Sequence, residues 1–223
     1  MGAAFLMSAW TPRVAHDFWV EPSTFTPAAG TRFDIRLCVG DGFEGWPLAR
    51  NVRRIERFEA IGRSGGQRLL GIDGTDPAGI ARLQASGGYI LAFESKHSLA
   101  NMPADEFSAY LEEKGLERIL ELREQRGENR RAARDAYSRH AKALIPVGES
   151  PQTVLDRAIG LRLELIALRD QAGHDRTFQL LYEGKPLANA LVTATLLGAA
   201  AQDLHARTDR QGRATLSLRA AGA

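Results

Sequence analysis

The sequence predicts a mainly β protein, built of immunoglobulin-like or prealbumin-like β-sandwich domains with one helical insertion. Three observations lead there. In RFDIRLCVG, Phe33, Ile35, Leu37 and Val39 alternate with Arg32, Asp34, Arg36 and Cys38, the period-two pattern of a half-buried strand. VRRIERFEAIG and GGYILAFES behave similarly, and Gly65, Gly66, Gly74, Gly87 and Gly88 mark turns around them. Between these runs no helical stretch of crossover length occurs, which favours antiparallel pairing over a parallel α/β arrangement.

The elements follow in order. GAAFLMSAW (Gly2 to Trp10) has the length of the apolar core of a signal peptide, Pro12 can break a helix there, and Ala15 fits the residue before a cleavage. Against this, no basic residue precedes the run, and Arg13 stands where a small residue is wanted. Residues 1–15 are therefore either a signal peptide or a disordered leader. A sandwich domain is expected over residues 16–150, interrupted at about 103–137 by a helical insertion. There, in PADEFSAYLEEKGLERILELREQRGENRRAARDAY, Phe107, Tyr110 and Leu111 form one helical stripe and Leu116, Ile119 and Leu120 another. Pro103, Asp105 and Glu106 suit a first turn, where a missing N–H costs nothing and acids face the dipole. Gly115 and Gly127 mark breaks, giving roughly two helices with charged outer faces. Alternation returns in HAKALIPVG, and GESPQTVLDRAIG has the composition of a linker. A second immunoglobulin-like or prealbumin-like module is expected over 151–223, from RLELIAL, TFQLLYEGKPLANALVTATLL and LHARTDRQGRATLSL. Gly184 and Pro186 fall between two of its strands, and Asp209 and Gly212 in a hairpin loop.

Composition narrows the function classes. At 223 residues, 44% hydrophobic and 25% charged, the chain has the profile of a soluble globular protein. A net charge of +2 supplies no field that would argue for a nucleic-acid partner. No run approaches the ~20 apolar residues of a membrane span. Cys38 is the only cysteine, so neither an intramolecular disulfide nor a thiolate metal cluster can form, and mid-strand it is expected to be inert. No G-x-S-x-G elbow is present, and GRSGGQ and GIDGTD lack the strand–loop–helix setting of a phosphate cradle. DGTDPAG lacks EF-hand spacing and reads as a turn. No enzyme is expected. Trp10, Trp19, Trp46, Phe18 and Phe43 are expected in the core, with an exposed aromatic patch as the alternative.

Five histidines remain: His16, His97, His140, His174 and His205. None forms an H-x-H, H-x₃-H or H-E-x-x-H arrangement. If the chain is cut after Ala15, the α-amine and Nδ1 of His16 can chelate one ion, and one further histidine would complete a site for Cu(II) or Ni(II). If it is not cut, the ring simply packs beside Phe18 and Trp19. His97 precedes the insertion and His140 follows it, so those two can approach each other. His174 and His205 have loop-like or edge surroundings and read as solvated. The expected metal pair is His16 with His97.

AHDFWVEP, LCVGDGF, RIERF, MPADEFSAYLEEKGL and YSRHAKALIPVG occur in the order found in a bacterial family. Over about residues 14 to 218 the chain resembles the family called domain of unknown function 4198, linked to periplasmic substrate-capture components of nickel and cobalt uptake systems. The tail also resembles small prealbumin-like modules found beside carboxypeptidases, a likeness of fold more than of function. The resemblance implies an exported protein whose mature N-terminus is His16, a β-sandwich fold, and in some relatives a metal held by histidines. Many relatives carry an aromatic at the place of His140, which implies a structural role there. Relatives also continue past the LRAAGA at which this chain stops, so a final strand and a possible ligand are expected to be missing. The expectation is a periplasmic, non-enzymatic binding protein that captures nickel or cobalt and passes it to a membrane metal-uptake transporter. The alternatives are a metal-free exported interaction or adhesion module, and a copper-binding histidine-brace protein.

Overall fold

The computed structural model describes residues 16–148, 156–168, 175–197 and 202–217; the leader with Trp10 and Ala15, and His174, lie outside them. Strand β1 (Asp17–Pro22) pairs antiparallel with β2 (Arg32–Asp41), from Asp17 opposite Gly40 to Pro22 opposite Ile35. The other edge of β2 is shared. Its first half pairs with β6 (Gly79–Arg82) and its second half with β3 (Glu44–Leu48). The β2–β3 connection places Gly42 (φ 57°) and Phe43 (φ 65°) in the left-handed region, the pair of conformations a tight hairpin turn of the twist-compatible kind requires.

A second antiparallel sheet runs β10 (His140–Val147), β7 (Gly87–Ser95), β4 (Ile55–Gly62), β5 (Gly65–Arg68). The core lies between the two sheets. Val20, Phe33, Ile35 and Leu37 from the first meet Phe58, Leu91, Phe93 and Ile145 from the second, all buried. The alternation of β2 thus does what its spacing predicts, and each such side chain contributes about 1.5–3 kcal/mol by leaving water. Cys38, on the opposite register, is buried as well, because Trp19 and Pro47 stand opposite it in the two neighbouring strands.

The insertion is a hairpin with helices at its tip. β8 (Ser98–Met102) pairs with β9 (Ala133–Tyr137), and α1 (Ala104–Glu113) and α2 (Glu117–Gln125) lie between them. Met102, Phe107, Leu111 and Ala133 make its own small core. The first helical stripe is therefore buried. Of the second only Leu120 packs inward, while Leu116 and Ile119 stay exposed. Gly115 and Gly127 close the helices in left-handed conformations, each followed by the 6→1 backbone bond of a Schellman cap, Leu116 N to Leu111 O at 2.7 Å and Glu128 N to Arg123 O at 2.8 Å. ARDAY, the end of the stretch with helical spacing, is instead β9, where pairing with β8 outweighs local propensity.

The C-terminal unit has β11 (Leu163–Ala167), β12 (Asp175–Tyr182) and β13 (Lys185–Pro186) in one sheet, with β16 (Arg213–Ser217) on the far side of β12. β14 (Leu191–Leu196) and β15 (Gln202–Arg207) form the facing layer. Val192, Ala214 and Leu216 are buried between the layers with Phe178 and Leu204 against them. The expected turn at Asp209 exists: its carboxylate accepts from the backbone N–H of Gln211 and of Arg213, both at 2.8 Å. It is not a hairpin loop. β15 and β16 belong to different sheets, so the turn arches from one layer to the other.

An ion cluster joins the units. Lys142 of β10 lies 2.6 Å from Asp156 and 3.1 Å from Glu164, and all three side chains are more than nine-tenths buried. Glu164 also accepts the backbone N–H of Ile159, Gly160 and Leu161 at 2.7–3.2 Å. Arg57 donates to the Ile159 carbonyl, and Arg157 donates to that of Gly62. At the other end, Arg207 of β15 reaches Glu117 and the Gly115 carbonyl of the insertion. Among the described residues no helix is long and apolar enough to cross a membrane.

Candidate functional site

His16 stands immediately before β1. The register that sets Asp17 against Gly40 carries the histidine to the β2–β3 hairpin, where its Nδ1 is 3.7 Å from Asp41 Oδ1. Its ring meets Trp46 of β3 edge-on, with centroids 5.1 Å apart, and its side chain remains one-third exposed (32%). The aromatic residues divide here. Phe18 packs on the core and Trp19 is buried, its indole donating to Glu21. Phe43 and Trp46 stand outside, 46% and 42% exposed, so the neighbourhood of His16 is an aromatic lip with one carboxylate.

His97 occupies the turn between β7 and β8, and its Nε2 accepts a 2.7 Å hydrogen bond from Arg162 Nη1. His140 opens β10 opposite Glu94, with its side chain only 6% exposed. Its Nε2 shares a 2.8 Å hydrogen bond with Ser138, while Nδ1 is buried without a hydrogen-bond partner, 3.6 Å from Glu94. Burial pushes its pKa down, Glu94 opposes that, and Arg162 and His97 add to it. The two histidines flanking the insertion therefore do come within each other's field, in company with an arginine. Among the described residues His16 meets Asp41 and Trp46, whereas His97 meets Arg162.

The remaining candidates are accounted for by their contacts. His205 on β15 shares a 3.0 Å hydrogen bond with Thr193 at the surface. Burial, then Glu21, pushes the Cys38 thiol up to about 11, so it stays protonated and unreactive at neutral pH. In DGTDPAG the acids diverge: Asp73 accepts from Val52 N and Asp76 pairs with Arg36 at 3.4 Å. Among the described residues no group of three or more His, Cys, Asp or Glu side chains could hold a metal ion. Lys142 was not legible as a joint residue by its own type. The available signal was Leu144 and Pro146 on the outward register of the same strand, which imply that this face is covered.

These features define an antiparallel β-sandwich protein with a second, smaller β unit and a helix-bearing hairpin. Residues 14–223 match the model of the family described as "Domain of unknown function (DUF4198)", and the chain belongs to that family. No curated protein and no solved structure matches it.

Proposed function

We propose that this is an exported, non-enzymatic binding protein of the periplasm, which captures a divalent late transition-metal ion at His16 and hands it to a membrane uptake transporter. The observation that supports this most is the setting of His16: partly exposed, ahead of the first strand, with Nδ1 facing the Asp41 carboxylate. With His16 as the first residue of the mature chain, its α-amine and Nδ1 would close a chelate ring on one ion, and Asp41 would add an oxygen. Two nitrogens and a carboxylate suit Ni(II) or Co(II), the ions the family resemblance suggests, and Cu(II) would bind more tightly still by the Irving–Williams order. Asp41 replaces His97 in this ligand set, because the cationic Arg162 already occupies the His97 ring nitrogen.

Calorimetric titration of protein beginning at His16 with Ni(II), Co(II) and Cu(II) tests the reading. His16→Ala is expected to weaken binding at least about a hundredfold, and Asp41→Asn about tenfold. Equal affinity in His16→Ala and the unaltered protein would overturn it. In that case the exposed rings of Phe43 and Trp46 favour the metal-free reading, an interaction module that meets its partner through this lip.

A further inference from the structure

A cleft of about 320 Å³ opens at the end of the sandwich beneath the β8–β9 hairpin. This lies at the small end of the ~300–1,000 Å³ range of ligand sites. Its floor is apolar: Phe18 and Phe93, with ring centroids 5.0 Å apart, and Leu37 and Ile55 beside them. Its polar wall carries Arg54, Arg139, Tyr137 and Ser98, and no carboxylate lines it. The Arg139 Cζ lies over the Phe18 ring, 5.2 Å from its centroid, and over the Tyr137 ring, 5.5 Å from its centroid. A cation held over aromatic rings is attracted by them without being neutralised, and its guanidinium N–H groups can still donate to an anion. Among the described residues neither Arg139 nor Arg54 forms an ion pair. Burial lowers the Arg139 pKa, Tyr137 opposes that, and repulsion from Arg54 adds to it.

Two cations that share one half-buried cleft without an acid are stabilised when an anion arrives. Planar guanidinium forks match a carboxylate in bidentate fashion. The apolar floor adds a second requirement, because a bare inorganic anion would leave it in contact with water. We infer that this cleft is a binding site for a small organic carboxylate with an apolar body. The acid is held by Arg139 and Arg54 and the body lies on Phe18 and Phe93. The site uses neither His16 nor a metal, so it stands apart from the metal reading.

The probes are 3-phenylpropionate, its uncharged amide 3-phenylpropanamide, and acetate, titrated calorimetrically into the full chain. Binding of 3-phenylpropionate below about 1 mM is expected, with the amide and acetate each at least about tenfold weaker, the loss that follows one missing charge-assisted hydrogen bond or the missing apolar contact. Arg139→Gln and Arg54→Gln are each expected to weaken it about tenfold. Arg54 is exposed at the mouth, so Arg54→Gln keeps the test valid if thermal unfolding shows that Arg139→Gln does not fold. Absence of 3-phenylpropionate binding, equal binding of the amide or of acetate, or unchanged affinity in Arg54→Gln would overturn the inference.

Discussion

Burial lowers the pKa of the His140 imidazole, and that couples its protonation to folding. Its folded pKa lies below the ordinary value of about 6.5, so the unfolded chain takes up a proton first as pH falls. The stability this group contributes is whole above about pH 6.5 and is lost progressively below it. Arg162 and His97 push in the same direction as burial, and Glu94 pushes the other way. His140→Phe, which keeps an aromatic in the site, is expected to flatten the decline in stability between about pH 7 and pH 5, read from urea denaturation. Equal declines in both proteins would contradict it. A structural role for His140 was what the family resemblance implied. Its pairing with Glu94 was not, because the register of two strands distant in sequence is set by packing and leaves no local trace. For His97 the same gap mattered more: Arg162 comes from the other unit of the fold, and no spacing within the chain announces it.

The β2–β3 hairpin carries the candidate site, and it depends on two opposed glycines. A Cβ on Gly40 would lie 2.0 Å from the Glu44 carbonyl oxygen, and one on Gly45 would lie 1.9 Å from that of Val39. Both atoms are backbone, so the strands themselves would have to part. Gly40→Ala is expected to destabilise the protein by about 2 kcal/mol or more and to displace Asp41 and Trp46 from His16, measured by urea unfolding. A loss below about 0.5 kcal/mol would contradict the close approach. β2, β4 and β10 were legible because alternate residues of each fill the core, whereas β7 is an apolar run buried on both faces, with Ile90 and Ala92 as deep as Leu91 and Phe93. β5 and β6 are only four residues long, too short for alternation to register. β9 carries residues at home in a helix and becomes a strand only by pairing with β8. The Asp209 turn shows the same limit from the other side: its Asx chemistry was legible, while its topology depends on β16 choosing β12 as a partner.

Lys142, Asp156 and Glu164 fix how the two units meet. Charges this deeply buried cost several kcal/mol each in desolvation, and a hydrophobic joint of similar volume would be as stable or more so. The backbone N–H groups converging on Glu164 and the fork of acids around Lys142 offset that cost in one relative orientation of the chain segments. The second unit then holds Arg162 against His97 and Arg207 against the insertion, so the three parts of the fold brace one another. The proposed function turns on a single bond, Ala15–His16. The intact mass of the protein recovered from its native host measures that bond directly. A chain beginning at His16 is predicted, with a free α-amine beside the imidazole and Asp41. A chain that retains Met1 to Ala15 would leave an amide in place of that amine and would contradict metal capture at His16.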